Sequence, residues 1–310
     1  MPNQIDPSRI PEACAAVGLD PDATAARLAP AVRLRVTVGD ARVGASKLGG
    51  LPDLPAYVPW PRWAMSDYNR NEIADLRAKP QTEHVTARIE AMLKQQEREV
   101  PLAFLAQLDL SELEGLPHGL PLPSSGLLLF FDDLAEQPWG YCDSHRRSFR
   151  VLHVPAGSTL ERRPPPADLP AEHVLKEGAV RFEAVQTLPV WPEDMDDWDA
   201  YLDLGDALEP EEEIAAHQIG GHPDQVQGDM ARSCALVTQG VYLGRPPDVD
   251  EEELERLASS HGEWRLLLQL ASDDDLDWMW GDLGNLYFWM READIAAGAW
   301  DQAWFQLQCG

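Results

Sequence analysis

The sequence predicts an α+β protein: one large mixed β-sheet built from two pseudo-symmetric repeats, with helices inserted and packed on it. Three observations predict this. A Gly-Gly-x-Pro-Asp turn occurs twice, as Gly49-Gly50-Leu51-Pro52-Asp53 and as Gly220-Gly221-His222-Pro223-Asp224. Each turn is followed by matching apolar stretches in the same order. Those stretches are continuous apolar runs, the pattern of strands covered on both faces.

The matches are specific. Phe104–Leu108 faces Leu266–Leu270 around a shared glutamine, Gln107 and Gln269. Gly126–Phe131 then faces Gly284–Trp289, and Phe149–His153 faces Trp304–Gln308. The offset falls from 171 residues at the glycines through 162 and 158 to 155. A steady drift of that kind is the trace of shorter loops in the second copy. The period is too long for a solenoid. The expected organisation is an N-terminal helical extension (1–30), a first repeat (31–160), a Pro-rich linker (161–178) and a second repeat (179–310). Residues 31–310 then form one unit, with two independent domains as the alternative that the linker keeps open.

In chain order, Asp20 followed by Pro21 is a helix start, an N-cap with proline in the first turn. "AVRLRVTV" (31–38) alternates at period two and reads as a half-buried strand. "YVPWPRW" is held extended by Pro59 and Pro61. Residues 82–98 place Val85, Ile89 and Met92 at helical spacing, with Glu83 in the first turn and Arg98 in the last. Strands are expected at 101–110, 126–133, 148–154, 179–191, 263–272, 284–292 and 303–309. Helices are expected at 192–204, 229–237 and 248–260. In "SDDDLDWMWGDLG" (272–284), Ser272 reads as a helix N-cap with acids in the first turn.

Composition narrows the partners. Among 310 residues there are 53 acidic and 25 basic side chains, a net charge of −28. Such a surface repels nucleic acid and anionic membranes; solubility is the favoured reading of the acidity, and a surface for a basic protein or peptide is the functional one. The four cysteines, Cys14, Cys142, Cys234 and Cys309, have no metal-ligand or disulfide spacing, which fits a reducing compartment. There is no signal-peptide pattern and no run of about 18 apolar residues, so the expected location is cytoplasmic.

No catalytic set is complete. Gly39-x4-Gly44 follows a strand but lacks the phosphate-binding lysine between glycine and Ser46. A Ser46–Lys47 nucleophile pair has no third partner. His217 and His222 flank the second Gly-Gly and are weak metal candidates, although solvated loop histidines are favoured. Gln107 and Gln269, amides inside apolar strands, are expected to form a polar pair near the sheet centre. Gly49, Gly50, Pro52, Gly220, Gly221 and Pro223 are structural turn residues. Lys47, Trp60, Gln107, Gln218, His222, Gln269 and Asp282 are the candidate binding residues.

"KLGGLPDLP…VPWP", "PLAFLAQLDL", "LPSSGLLLFFDD" and "WGDLGNLYFWMREADI…AWFQLQCG" together resemble the YwqG-like family, a bacterial domain of unknown function. The resemblance spans roughly residues 30–310. It implies an α+β fold with a large mixed sheet, and no reaction, cofactor or catalytic residue. The functional expectation is a non-catalytic binding protein that recognises a protein or peptide between the repeats, an immunity-like role toward a basic partner being one form of it. A metal-dependent hydrolase using His217, His222 and nearby acids is the alternative, and a small-molecule sensor near Gln107 and Gln269 is another. No cofactor is expected.

Overall fold

A computed structural model describes residues 4–64, 66–95, 99–192, 194–208 and 215–310. Eleven strands form its main sheet. They are β1 (Gln4–Ile5), β2 (Ala29–Val38), β3 (Lys47–Leu48), β4 (Ala103–Asp109), β5 (Leu127–Asp132), β6 (Phe149–Val154), β7 (Gly178–Thr187), β8 (Gln218–Gly220), β9 (Trp264–Ala271), β10 (Asn285–Arg291) and β11 (Trp304–Gln308). Across the sheet they run β11-β10-β9-β8-β2-β7-β3-β4-β5-β6, with β1 added beside β7.

The alignment of the repeats equates β3, β4, β5 and β6 with β8, β9, β10 and β11, and the pairings make β2 the counterpart of β7, since Lys47 pairs with Ala179 of β7 as Gln218 pairs with Arg33 of β2. The order therefore reads the same from either edge. A pseudo-two-fold axis passes through the central β2–β7 ladder, which runs from Ala29↔Thr187 to Val38↔Gly178. The halves exchange strands across it: β2 pairs with β8 of the second half, and β7 with β3 of the first. Even the irregularities repeat. The β4–β5 register shifts between Phe104 and Ala106, and the β9–β10 register between the aligned Leu266 and Leu268.

The α+β class and the single large sheet are as the sequence implied. Every pairing of described strands is antiparallel, which narrows the expected mixed sheet. Continuous apolar runs report cover on both faces, not strand direction. Residues 161–162, inside the Pro-rich stretch, form a short antiparallel pair with Asp53–Leu54 beside the first corner.

Helices enter after each corner, Ser66–Ala78 and Glu83–Gln95 in the first half, Met230–Val237 and Glu251–Ala258 in the second. The first of these was not expected, because Ile73 and Leu76 are its only described buried side chains. Arg98 lies outside the described residues. Asp20 caps its helix as expected, accepting from the Asp22 N–H. Ser272 does not start a helix: a bridge between Asp273 and Trp278 closes a turn there, and the Ser272 hydroxyl donates to the Gly284 carbonyl at 2.9 Å. Local acid spacing favoured a helix, but pairing across the turn satisfies the same backbone groups.

The sheet folds over so that β5 and β6 pack against β10 and β11. Phe130 and its repeat equivalent Phe288 meet edge-on at 5.0 Å between ring centroids. Phe149 and its equivalent Trp304 meet at 5.9 Å. These self-matched pairs lie in the largest core cluster, which draws on both halves. One residue breaks the pattern. Asp132 is fully buried and neither carboxylate oxygen has a hydrogen-bond partner, whereas the aligned Met290 is apolar and equally buried. Burial, with the Asp133 charge added, drives the Asp132 carboxyl well above its ordinary value.

Gly49 and Gly220 both take positive φ, 62° and 69°. A Cβ would stand 2.1 Å from the Lys176 carbonyl oxygen at one and 2.1 Å from the His118 carbonyl oxygen at the other. Backbone cannot yield as a side chain does, so Gly49→Ala and Gly220→Ala are each expected to cost about 3 kcal/mol or more by denaturant melts. Asp132→Met should stabilise by about 1–3 kcal/mol at pH 7. A raised carboxyl value means that native stability falls as pH rises above 3.8. The advantage of the variant should therefore grow with pH in parallel melts.

Candidate functional site

The two Gly-Gly corners are the same hydrogen-bonded device. In the first, the Asp53 N–H donates to Gln107 Oε1 at 2.9 Å, and Gln107 Nε2 donates to the Ala45 carbonyl at 2.7 Å. In the second, the Asp224 N–H donates to Gln269 Oε1 at 2.9 Å, and Gln269 Nε2 to the Ala216 carbonyl at 2.7 Å. Each glutamine thus clamps the two ends of its own corner. They do not pair with one another at the sheet centre, because each is engaged by its own corner, Gln107 Nε2 also donating to the Asp53 carboxylate at 2.7 Å.

The residues before the glycines also do equivalent work with different chemistry. Lys47 Nζ donates to the Leu51 carbonyl, and the aligned Gln218 Nε2 donates to the His222 carbonyl at 2.7 Å. Ser46 Oγ accepts from the Asp109 N–H at 2.8 Å, and the aligned His217 Nδ1 accepts from the Ala271 N–H at 3.0 Å. The far side of each then meets an acid, Glu112 at 2.6 Å for Ser46 and Asp273 at 2.9 Å for His217. His217 is buried, not a solvated loop residue, and both its ring nitrogens are engaged. His222 donates from Nε2 to the Arg27 carbonyl at 3.0 Å. The two histidines serve different partners, and among the described residues no group of three or more His, Cys, Asp or Glu is arranged to hold a metal.

The corners differ in charge. The first encloses Lys47, Asp53, Arg162 and Glu177, with Arg162 at 2.9 Å from Asp53 and 3.4 Å from Glu177, and Lys47 at 3.4 Å from Glu177. Burial pushes the Lys47 ammonium down against the pull of Asp53 and Glu177. Burial would raise the Asp53 carboxyl, but bonds from Arg162, Gly44 and Gln107 hold it below its ordinary value. Arg162 and Glu177 had no recognisable signal in the sequence, since they lie in and after the Pro-rich stretch. The second corner is closed by neutral groups: Gln4 of β1 donates to Gln218 Oε1 at 2.8 Å. There burial raises the Asp224 carboxyl.

The remaining candidates are dispersed. Trp60 donates to the Leu102 carbonyl at 2.8 Å and packs edge-on against Phe131. Asp282 is exposed, and its carbonyl accepts from the Gly310 N–H. Of the candidate binding residues, His222 opens on a large depression. This groove, of about 1180 Å³, is bordered by His118–Leu120 of the first half and by Gly221, His222 and Pro223 of the second corner. Its wall carries Trp264, Leu266 and Trp289 from β9 and β10, and its lip carries Arg27, Trp191 and Trp198. Trp191 and Trp198, seven positions apart in the chain, are neighbours there.

Arg162→Leu would leave Asp53 and Glu177 with Lys47 as their one cation in the first corner. A loss of about 3 kcal/mol is expected at pH 7. Because the native Asp53 carboxyl is depressed, its contribution is present above pH 3.8 and disappears as pH falls. The gap between wild type and variant, read by urea melts, should narrow as pH falls below 3.8 and through the depressed native value of Asp53.

No helix among the described residues is long and apolar enough to cross a membrane. No curated protein matches the chain. A family model does, over residues 46–309, from the residue before Lys47 to the residue after β11. The chain belongs to the family described as Domain of unknown function (DUF1963).

Proposed function

We propose that this protein, a YwqG-like member of its family, is a non-catalytic binding module that takes a peptide segment of a protein partner in the groove beside the second corner. The observation that carries the reading is the groove itself. It is about 1180 Å³ in volume, built jointly by both halves, and fronted by Trp191 and Trp198 with 52% and 37% of their surface exposed. Exposed aromatic side chains give rigid contact area at low entropic cost and dominate binding hot spots. The polar groups of the two corners, by contrast, are spent on the turns they hold. Lys47, Gln107, Gln218, Gln269 and His217 all support backbone. That weighs against the hydrolase and sensor alternatives.

Selection of a displayed peptide library against the full chain tests the reading, with a Trp191→Ala/Trp198→Ala double variant as counter-screen. Trp198 also packs against Tyr201, so the melting temperature of the variant is read alongside to show that it stays folded. Selected peptides should bind the wild type with saturable affinity and lose about tenfold or more on the variant. Peptides that bind both proteins equally would place recognition elsewhere.

A further inference from the structure

We infer that the outer lip of the groove recognises a cationic side chain, lysine or arginine, of an extended basic peptide. This rests on the groove being a peptide site and adds the chemistry of its occupant. Trp191 and Trp198 stand 5.7 Å apart between ring centroids, inclined at 44°. The π faces of indoles are the best aromatic partners for a cation, which is attracted within about 6 Å of a ring centroid.

The segment that supplies these rings also supplies Asp194, Asp196, Asp197 and Asp199, all exposed. Arg27 pairs with Asp194, and Asp197 accepts from the Ala200 N–H at 3.0 Å. Asp196 and Asp199 have no ion pair among the described residues. Two open indoles with surplus carboxylates on one short segment are complementary to a cation, and the net charge of −28 draws such a partner from a distance.

The wall of the groove carries Trp264, Leu266 and Trp289 and is mainly apolar. The occupant that fits lip and wall together is an extended peptide whose cationic side chain sits at the lip.

The test uses the full chain and a fluorescent decapeptide of alternating lysine and alanine, with norleucine-for-lysine and glutamate-for-lysine analogues, read by anisotropy. The lysine peptide should bind at least about tenfold more tightly than the norleucine peptide, and the double variant Trp191→Ala/Trp198→Ala should abolish that preference. Asp196→Asn/Asp199→Asn should weaken binding about threefold and flatten its salt dependence. Lysine-peptide binding that survives the double tryptophan variant marks diffuse attraction to an acidic chain and overturns the inference. Norleucine binding as tight as lysine binding, yet lost on that variant, overturns the cation site while leaving the groove reading intact. No groove-dependent binding by any of the peptides here or in the library selection overturns both.

Discussion

The structure hangs on one antiparallel ladder. β2 and β7 come from different halves of the chain, and they pair along their full length from Ala29↔Thr187 to Val38↔Gly178. Each then hands the sheet to the opposite half, β2 to β8 and β7 to β3. An exchange of this kind means that neither half can complete its own sheet. It also sets the axis about which the sheet folds over, bringing Phe130 onto Phe288 and Phe149 onto Trp304. The core cluster that results is common property, so the hydrophobic stabilisation of each half depends on the other being in place.

The corners show how much side-chain chemistry such a frame tolerates. What the frame demands is a donor to the carbonyl of the residue after the glycines and an acceptor for one N–H at the end of β4 or β9. Lysine or glutamine meets the first demand, and serine or histidine the second. The glutamine clamp is unchanged in both halves because it has to both accept and donate, which an amide does without charge. With Lys47 where Gln218 stands, Glu177 and Asp53, the latter matched by Asp224 in the second corner, face a buried ammonium, and Arg162 balances the two carboxylates. The ion network is therefore a consequence of the corner, not a separate site.

Much of this was legible in the sequence. The repeated glycines, the paired Gln107 and Gln269 and the drifting offset identified the duplication because loops change length and strands do not. What the sequence could not reveal was which strands neighbour which, since the exchange of β2 and β7 leaves no trace in hydrophobic period. Ser272 shows a second limit: an acidic run after serine has the local signature of a capped helix, and a cross-turn bridge to Trp278 overrides it. Asp132 shows a third. Its position inside "LLLFFD" reads as the polar end of a strand, and only packing reveals a fully enclosed carboxyl with no partner. The residues of the groove beside the second corner come from six separate stretches of chain that no spacing could join.

A pseudo-symmetric frame has two equivalent corners, so a functional surface has to come from whatever breaks the equivalence. At the first corner, the departures from symmetry face inward: residues 161–162 pair with Asp53–Leu54, and the charges close on one another. At the second, β1 is laid beside β7, Gln4 closes the corner with a neutral bond, and the chain continues into the acidic segment carrying Trp191 and Trp198. The additions there face outward and leave aromatic surface uncovered. Uncovered tryptophan lowers solubility and carries a standing hydration cost, which the fold avoids for Trp278, Trp280 and Trp304 by burying them. The second corner is thus the side on which the additions to the duplicated frame leave aromatic surface open, and the first is the side on which they close on one another.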